Sequence, residues 1–193
     1  MEGRSPADED VLVTRAKEGD VDAYAVLLGR HQVAARRLAA VLCGSASADA
    51  DEAAQDAFVK AWYGLAGFRP GAPFRPWLLR IVANEARNRR RSSGRRAGYE
   101  LRFATDRVAP QAAPSAEAAA LVTESRRELV AALADLPAAQ REVVVCRHLV
   151  GLSEAETAQV LGLAPGTVKS RTARGLRRLH ALLAARTGEG PGG

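Results

Sequence analysis

Between Pro165 and Arg186 the chain carries six cations, Lys169, Arg171, Arg174, Arg177, Arg178 and Arg186, and no carboxylate. Read as a helix at about 100° per residue, this segment puts Val168, Thr172, Leu176, Leu179 and Leu183 on one stripe. Ser170, Arg174 and Arg177 fall opposite, flanked by Lys169, Arg171 and Arg178. A merely solvated helix mixes its signs and gains from Glu–Lys pairs four residues apart. Cations of one sign repel one another until an anion arrives, so the chemistry predicted here is DNA binding. A second basic run, "FRPWLLRIVANEARNRRR", interleaves Phe74 and Trp77 with Arg75, Arg80, Arg87, Arg89, Arg90 and Arg91. Unpaired bases stack on aromatic rings for roughly 1–3 kcal/mol per base, while cations track the backbone. Asn84 and Asn88, one turn apart, each offer the donor and the acceptor that a base edge needs. Trp77 suits a helical core as well as it suits a DNA contact.

Other constellations carry less. Asp49, Asp51, Glu52 and Asp56 could gather magnesium, as a nuclease would, but such a site needs carboxylates converging on one point. Asp49, Glu52 and Asp56 do share a helix face, which surface charge explains more simply and protein docking explains as well. Cys43 and Cys146 lie far apart, as do His31, His148 and His180, so neither a disulfide framework nor a zinc site is expected. No metal, no cofactor and no catalytic set are predicted.

The elements that must position these residues are helices. Ser153 and Glu156 have capping-box spacing, Gly162 suits a helix end that needs positive φ, and Pro165 suits a first helical turn. Three residues, Gly162 to Ala164, then separate two helices, which is the shape of a helix-turn-helix. Upstream, a helix is expected to about Lys17, ending at Gly19, and a second capped by Asp20 with Tyr24, Leu28, Ala35, Leu38 and Leu42 inward. A third carries Ala54, Phe58, Ala61, Trp62 and Leu65 inward. After "GFRPGAPFRP", Pro76 opens a fourth, with Trp77, Ile81 and Val82 on its apolar side. No segment shows strand alternation.

Charge is segregated within the 193 residues and their net +6. Met1 to Phe58 holds 11 acidic and 6 basic residues, whereas Val59 to Arg107 holds 12 basic and 3 acidic. An acidic face beside a basic one points to two different partners. No apolar run reaches the ~20 residues that span a bilayer, so no membrane insertion is expected and a cytoplasmic location follows.

Three blocks in order, "ADADEAAQDAFVKAW", "FRPGAPFRPWLLRIVANEARNRRR" and "LPAAQREVVVCRHLVGLSEAETAQVLGLAPGTVKSRTARGLRRL", resemble an extracytoplasmic-function sigma factor of bacterial RNA polymerase. The resemblance implies an all-α chain of two small helical domains. Region 2 would span 1–92, a flexible linker 93–116, region 4 with its helix-turn-helix 117–186, and a disordered tail 187–193. It puts Asp49, Glu52, Gln55 and Asp56 on the helix that docks on core RNA polymerase. It puts Arg75, Trp77, Arg80, Asn84, Arg87 and Asn88, with Arg91 beyond them, at the melted minus-ten element. Thr167, Lys169, Ser170, Arg171 and Arg174, with Arg177 and Arg178 on the same helix, would meet the duplex minus-thirty-five element. Partners implied are core polymerase, promoter DNA and an anti-sigma factor. Glu85 and Pro76 depart from the family's pattern, in which those sites are usually apolar and small, respectively. The competing reading is a free-standing helix-turn-helix regulator that binds duplex operators unaided, usually as a dimer.

Overall fold

The computed structural model describes residues 6–43, 48–69, 71–93, 125 and 127–187, and among them there is no strand. Four helices form the first unit: α1 (Pro6–Lys17), α2 (Val21–Cys43), α3 (Ala48–Gly64, extended by a tight turn at Leu65–Gly67) and α4 (Phe74–Ser93). A helix over 127–134 (α5) opens the second unit. It is followed by α6 (Ala138–Val144), which runs on as a wide turn over Val145–Leu149, then α7 (Glu154–Leu161) and α8 (Pro165–Thr187). The expected linker lies outside the described residues, apart from Ser93, which ends α4, and so do residues 117–124 and 126 of the expected region 4. The expected tail also lies outside them, apart from Thr187, which ends α8.

Local chemistry sets the boundaries. Asp20 Oδ1 accepts from the Ala23 N–H at 2.9 Å and starts α2, while Gly19 takes φ +96° where α1 stops. That N–H bond, together with the Arg15 side chain, holds the Asp20 carboxyl below its usual pKa. α4 begins at Phe74, two residues before Pro76. A proline is tolerated there because the first-turn N–H groups have no intrahelical partner.

α3 packs almost entirely through alanine. Ala50, Ala53, Ala54, Ala57 and Ala61 are all at most 3% exposed, on one helical face. Small side chains let α2 and α4 approach closely, and ordering alanine costs no rotamer entropy. Leu27, rather than Leu28, is fully buried on α2, and Phe74, Leu78, Leu79, Val82, Ala83 and Ala86 form the fully buried face of α4. One cluster joins α1 and α2 to Phe68 and Phe74.

A second cluster crosses between the units. Leu38, Leu42, Leu79, Val82 and Ala86 are continuous with Leu133, Val143, Cys146, Leu152, Val160 and Leu161. The two units are therefore packed on each other, α7 lying against α4, an arrangement that nothing local in the sequence announces.

On α8 the inward stripe is rotated from the expected one. Val168 and Leu179 are buried, but Leu176 is 38% exposed and Gly175 takes the contact with α6. α6 approaches there too closely for a side chain.

Candidate nucleic-acid and protein interfaces

The helix-turn-helix closes as its residues dictate. Ser153 Oγ accepts from the Glu156 N–H at 3.2 Å and Glu156 Oε2 accepts from the Ser153 N–H at 2.7 Å, completing the capping box. Partial burial pushes the Glu156 carboxyl up, yet the Ser153 N–H and hydroxyl, with Arg75 and Arg147, outweigh it and lower the pKa. Gly162 takes φ +68°, and its neighbour Leu163 donates to the Ala158 carbonyl at 2.9 Å. Ala164 O then accepts from the N–H groups of Thr167 and Val168, which starts α8.

With Val168 anchored inside, Lys169, Ser170, Arg174, Arg177 and Arg178 face solvent, and Thr167 and Arg171 are half-buried. Arg174 lies back along its helix: Nε donates to Ser170 O at 3.2 Å and Nη2 to Ser170 Oγ at 3.4 Å. Among the described residues, no carboxylate pairs with Lys169, Arg171, Arg174, Arg177 or Arg178, whereas Arg186 pairs with Asp135 at 2.6 Å. A rod of uncompensated cations fits a duplex groove, because releasing the DNA's counterions favours binding.

The α4 residues divide into three groups. Arg80, Asn84, Asn88 and Arg91 are exposed and fall within one arc of the helix. Trp77 is half-buried, its ring 4.9 Å from Phe68 and 5.5 Å from Phe74, with its edge against Gly64. It is packed into the aromatic cluster rather than offered to solvent. Arg75 and Arg87 face the second unit. Arg75 donates to the Val150 carbonyl, and Arg87 pairs with Glu142 at 3.0 Å while reaching the Leu161 carbonyl at 3.4 Å. Glu85 is half-buried and pairs with Lys60 at 2.6 Å.

The acidic face of α3 is partly neutralised by its neighbour. Arg89 bridges Glu52 and Asp56, the latter at 2.6 Å, which raises the guanidinium pKa further. Arg36 approaches Asp51 at 3.7 Å, Asp49 is half-buried and Gln55 is exposed. Val59 and Tyr63, 57% and 79% exposed, continue the Glu52–Gln55–Asp56 stripe along the helix. Sequence reasoning passed over both, although their spacing of seven and eleven from Glu52 is the signal that finds them. Among the described residues, no group of three His, Cys, Asp or Glu converges to hold a metal ion, and no helix is long and apolar enough to cross a membrane.

Residues 27–96 match the family model for sigma-70 region 2, and residues 126–179 match the model for sigma-70 region 4. The chain is 35% identical to the RNA polymerase sigma factor CnrH of Cupriavidus metallidurans, over 94% of this chain and 97% of CnrH. It is 38% identical to the ECF RNA polymerase sigma factor SigM of Mycobacterium tuberculosis, over 94% and 87% of the two chains. The structure of CnrH in complex with the cytosolic domain of CnrY matches with a TM-score of 0.69, covering 92% of this chain and 98% of that one. The sigma factor RpoE of Bartonella quintana, in its co-crystal structure with the anti-sigma factor NepR, matches with a TM-score of 0.63, at 25% identity, covering 81% and 96%.

Proposed function

Because the chain belongs to the extracytoplasmic-function sigma factors of bacterial RNA polymerase, we propose how its surfaces divide the work of promoter selection. The first unit, residues 1–92, is region 2. Its α3 stripe of Glu52, Gln55, Asp56, Val59 and Tyr63, with Asp49 at the helix start, docks on core polymerase. Its α4 arc of Arg80, Asn84, Asn88 and Arg91 takes the melted minus-ten strand, with Arg75 and Arg87 joining once region 4 has moved away. Trp77 supports that surface from beneath. The second unit is region 4, and Thr167, Lys169, Ser170, Arg171, Arg174, Arg177 and Arg178 sit in or beside the major groove of the minus-thirty-five element.

The observation that carries this reading is the pairing of two cationic helices in different units. One bears uncompensated charge on a helix that fits a groove about 12 Å wide, and the other adds amides for base edges. Phosphate contacts give register and most of the affinity, and base contacts select sequence. Neither unit needs a catalytic residue, since the polymerase core makes the phosphodiester bonds, and the place of action is the cytoplasm, where polymerase and promoter meet. An anti-sigma partner is the regulator that fits, as NepR is for RpoE. In vitro transcription with core polymerase over a promoter library tests the proposal. Initiation that depends on this chain supports it, and tight operator binding by the free chain with no polymerase dependence overturns it.

A further inference from the structure

The seam between the two units has a chemistry of its own. On its first side stand Arg75, Arg87 and Arg90, the last with Nη1 3.7 Å from Glu142 Oε1. On its second side stand the Glu142 carboxylate and two backbone carbonyls, Val150 O and Leu161 O. Leu161 is the final residue of α7, and Val150 directly follows the turn that ends α6, so both carbonyls belong to helix C-termini, where the peptide dipoles concentrate negative charge. The Glu142 and Arg87 side chains are only 13% and 22% exposed, so water screens their attraction less than it screens a surface pair. At about 100° per residue, Arg87 and Arg90 form one flank of the arc that holds Arg80, Asn84 and Arg91. Leu161 also leads directly into the turn of the helix-turn-helix.

We propose that Glu142 is a self-masking latch: in the free chain its carboxylate occupies Arg87 and Arg90 where a DNA phosphate would otherwise bind, holding region 4 across one flank of the α4 surface. The inference rests on the reading of α4 as a DNA face. A carboxylate and a phosphate oxygen are alternative partners for one guanidinium, and both form charge-assisted hydrogen bonds with it. Closure and DNA binding at this flank therefore exclude each other, and by linkage each weakens the other equally. The apparent DNA affinity of the free chain is scaled down by its open fraction. Arg75 and Arg87 hold the backbone on both sides of α7, so release of the latch frees the helix-turn-helix at the same moment.

The test uses the full chain with spin labels on Ala25→Cys and Ala181→Cys, both solvent-exposed, one on each unit. The native thiols are buried, and burial first of all pushes Cys43 up to about 11 and Cys146 up to about 12, so they are poor targets for the label. Wild type is expected to give one narrow interlabel distance. Glu142→Gln should broaden it and Glu142→Arg should lengthen it, and Arg87→Glu combined with Glu142→Arg should restore it. In parallel, a short fluorescein-labelled single-stranded DNA should bind Glu142→Gln severalfold more tightly than wild type. The charge-matched Glu154→Gln, altered at the first residue of α7, should bind as wild type does. Distances that stay narrow in both Glu142 variants overturn the latch, and so does equal tightening by Glu154→Gln. Arg80→Ala with Asn84→Ala interrogates the DNA face separately, because neither residue touches the seam. If that variant binds the oligonucleotide normally, α4 is not the DNA face, and the masking falls with it even where the distances respond.

Discussion

Gly175 on α8 and Val144 on α6 approach so closely that a Cβ on residue 175 would stand 2.7 Å from Val144 Cγ2, with the Gln140 carbonyl oxygen 3.4 Å away. Gly175→Ala should therefore destabilise the protein although alanine is the better helix former. The propensity gain is about 1 kcal/mol, whereas forced overpacking costs roughly 1–3 kcal/mol, and a β-branched valine has few rotamers into which to retreat. Thermal unfolding should show a lower Tm than wild type. A raised Tm would mean that α6 and α8 slide apart freely.

On α3, Tyr63→Ser with Val59→Ser should weaken binding to core polymerase by roughly 2 kcal/mol, the scale of an aromatic anchor at an interface. Both side chains are exposed, so stability should change by no more than about 0.5 kcal/mol. Glu52→Arg with Asp56→Arg should weaken the same binding and also lose the two ion pairs to Arg89, with helicity preserved. Titrating core polymerase with fluorescently labelled chain measures both losses, and unchanged affinity in both variants would remove α3 from the interface.

In region 4, Arg174→Ala should cost roughly 1–3 kcal/mol on the cognate element and relax selectivity at one base pair, as loss of a bidentate guanine contact does. Its guanidinium must first leave the Ser170 carbonyl. Arg178→Ala should weaken all sequences alike and reduce the salt slope by about one phosphate. Binding competitions across single-base variants of the upstream element, repeated at several salt concentrations, separate the two outcomes.

Asn84→Ala or Asn88→Ala should spare closed-complex formation with core polymerase but impair strand opening, read as lost permanganate reactivity of promoter thymines. A template with a pre-melted bubble should recover part of the activity, because unpairing no longer has to be driven. Normal opening by both variants would transfer melting to other residues.

Acid should loosen the seat of His31. Burial on α2, beside Phe74 of α4, pulls the imidazole below its usual 6.5, and Arg75 and Arg30 add to this, although Glu9 of α1, 3.1 Å away, pulls it up. The unfolded chain therefore takes up that proton more readily than the folded one. This contribution to stability is complete above about pH 6.5 and is lost as pH falls toward the folded value. Tm recorded from about pH 8 to about pH 5 should decline, and His31→Gln should flatten the decline.

What could be read in advance is what short-range chemistry decides. Asp20, Ser153, Glu156, Gly162 and Pro165 act through hydrogen bonds and dihedrals within a few residues, and each sits where its type required. Trp77 was undecided because Gly64, Phe68 and Phe74, from two separate segments, determine its burial. The α8 stripe was misjudged at Leu176 because the close approach at Gly175 rotates the helix against α6. Val59 and Tyr63 carry no charge, so a reading that follows the carboxylates stops at Asp56, although both continue the same helical face. The pairing of Arg87 with Glu142 joins residues 55 positions apart, and no local pattern encodes it.

The alanine face of α3 has a further consequence, for the thermodynamics of assembly. The buried alanines have no rotamer freedom to lose, and they seat the α3 backbone directly against α2 and α4. The stripe from Glu52 to Tyr63 is thus presented on a scaffold that is already ordered before any partner arrives. Docking there need fix only the outward side chains, and the backbone share of the association entropy has been spent during folding.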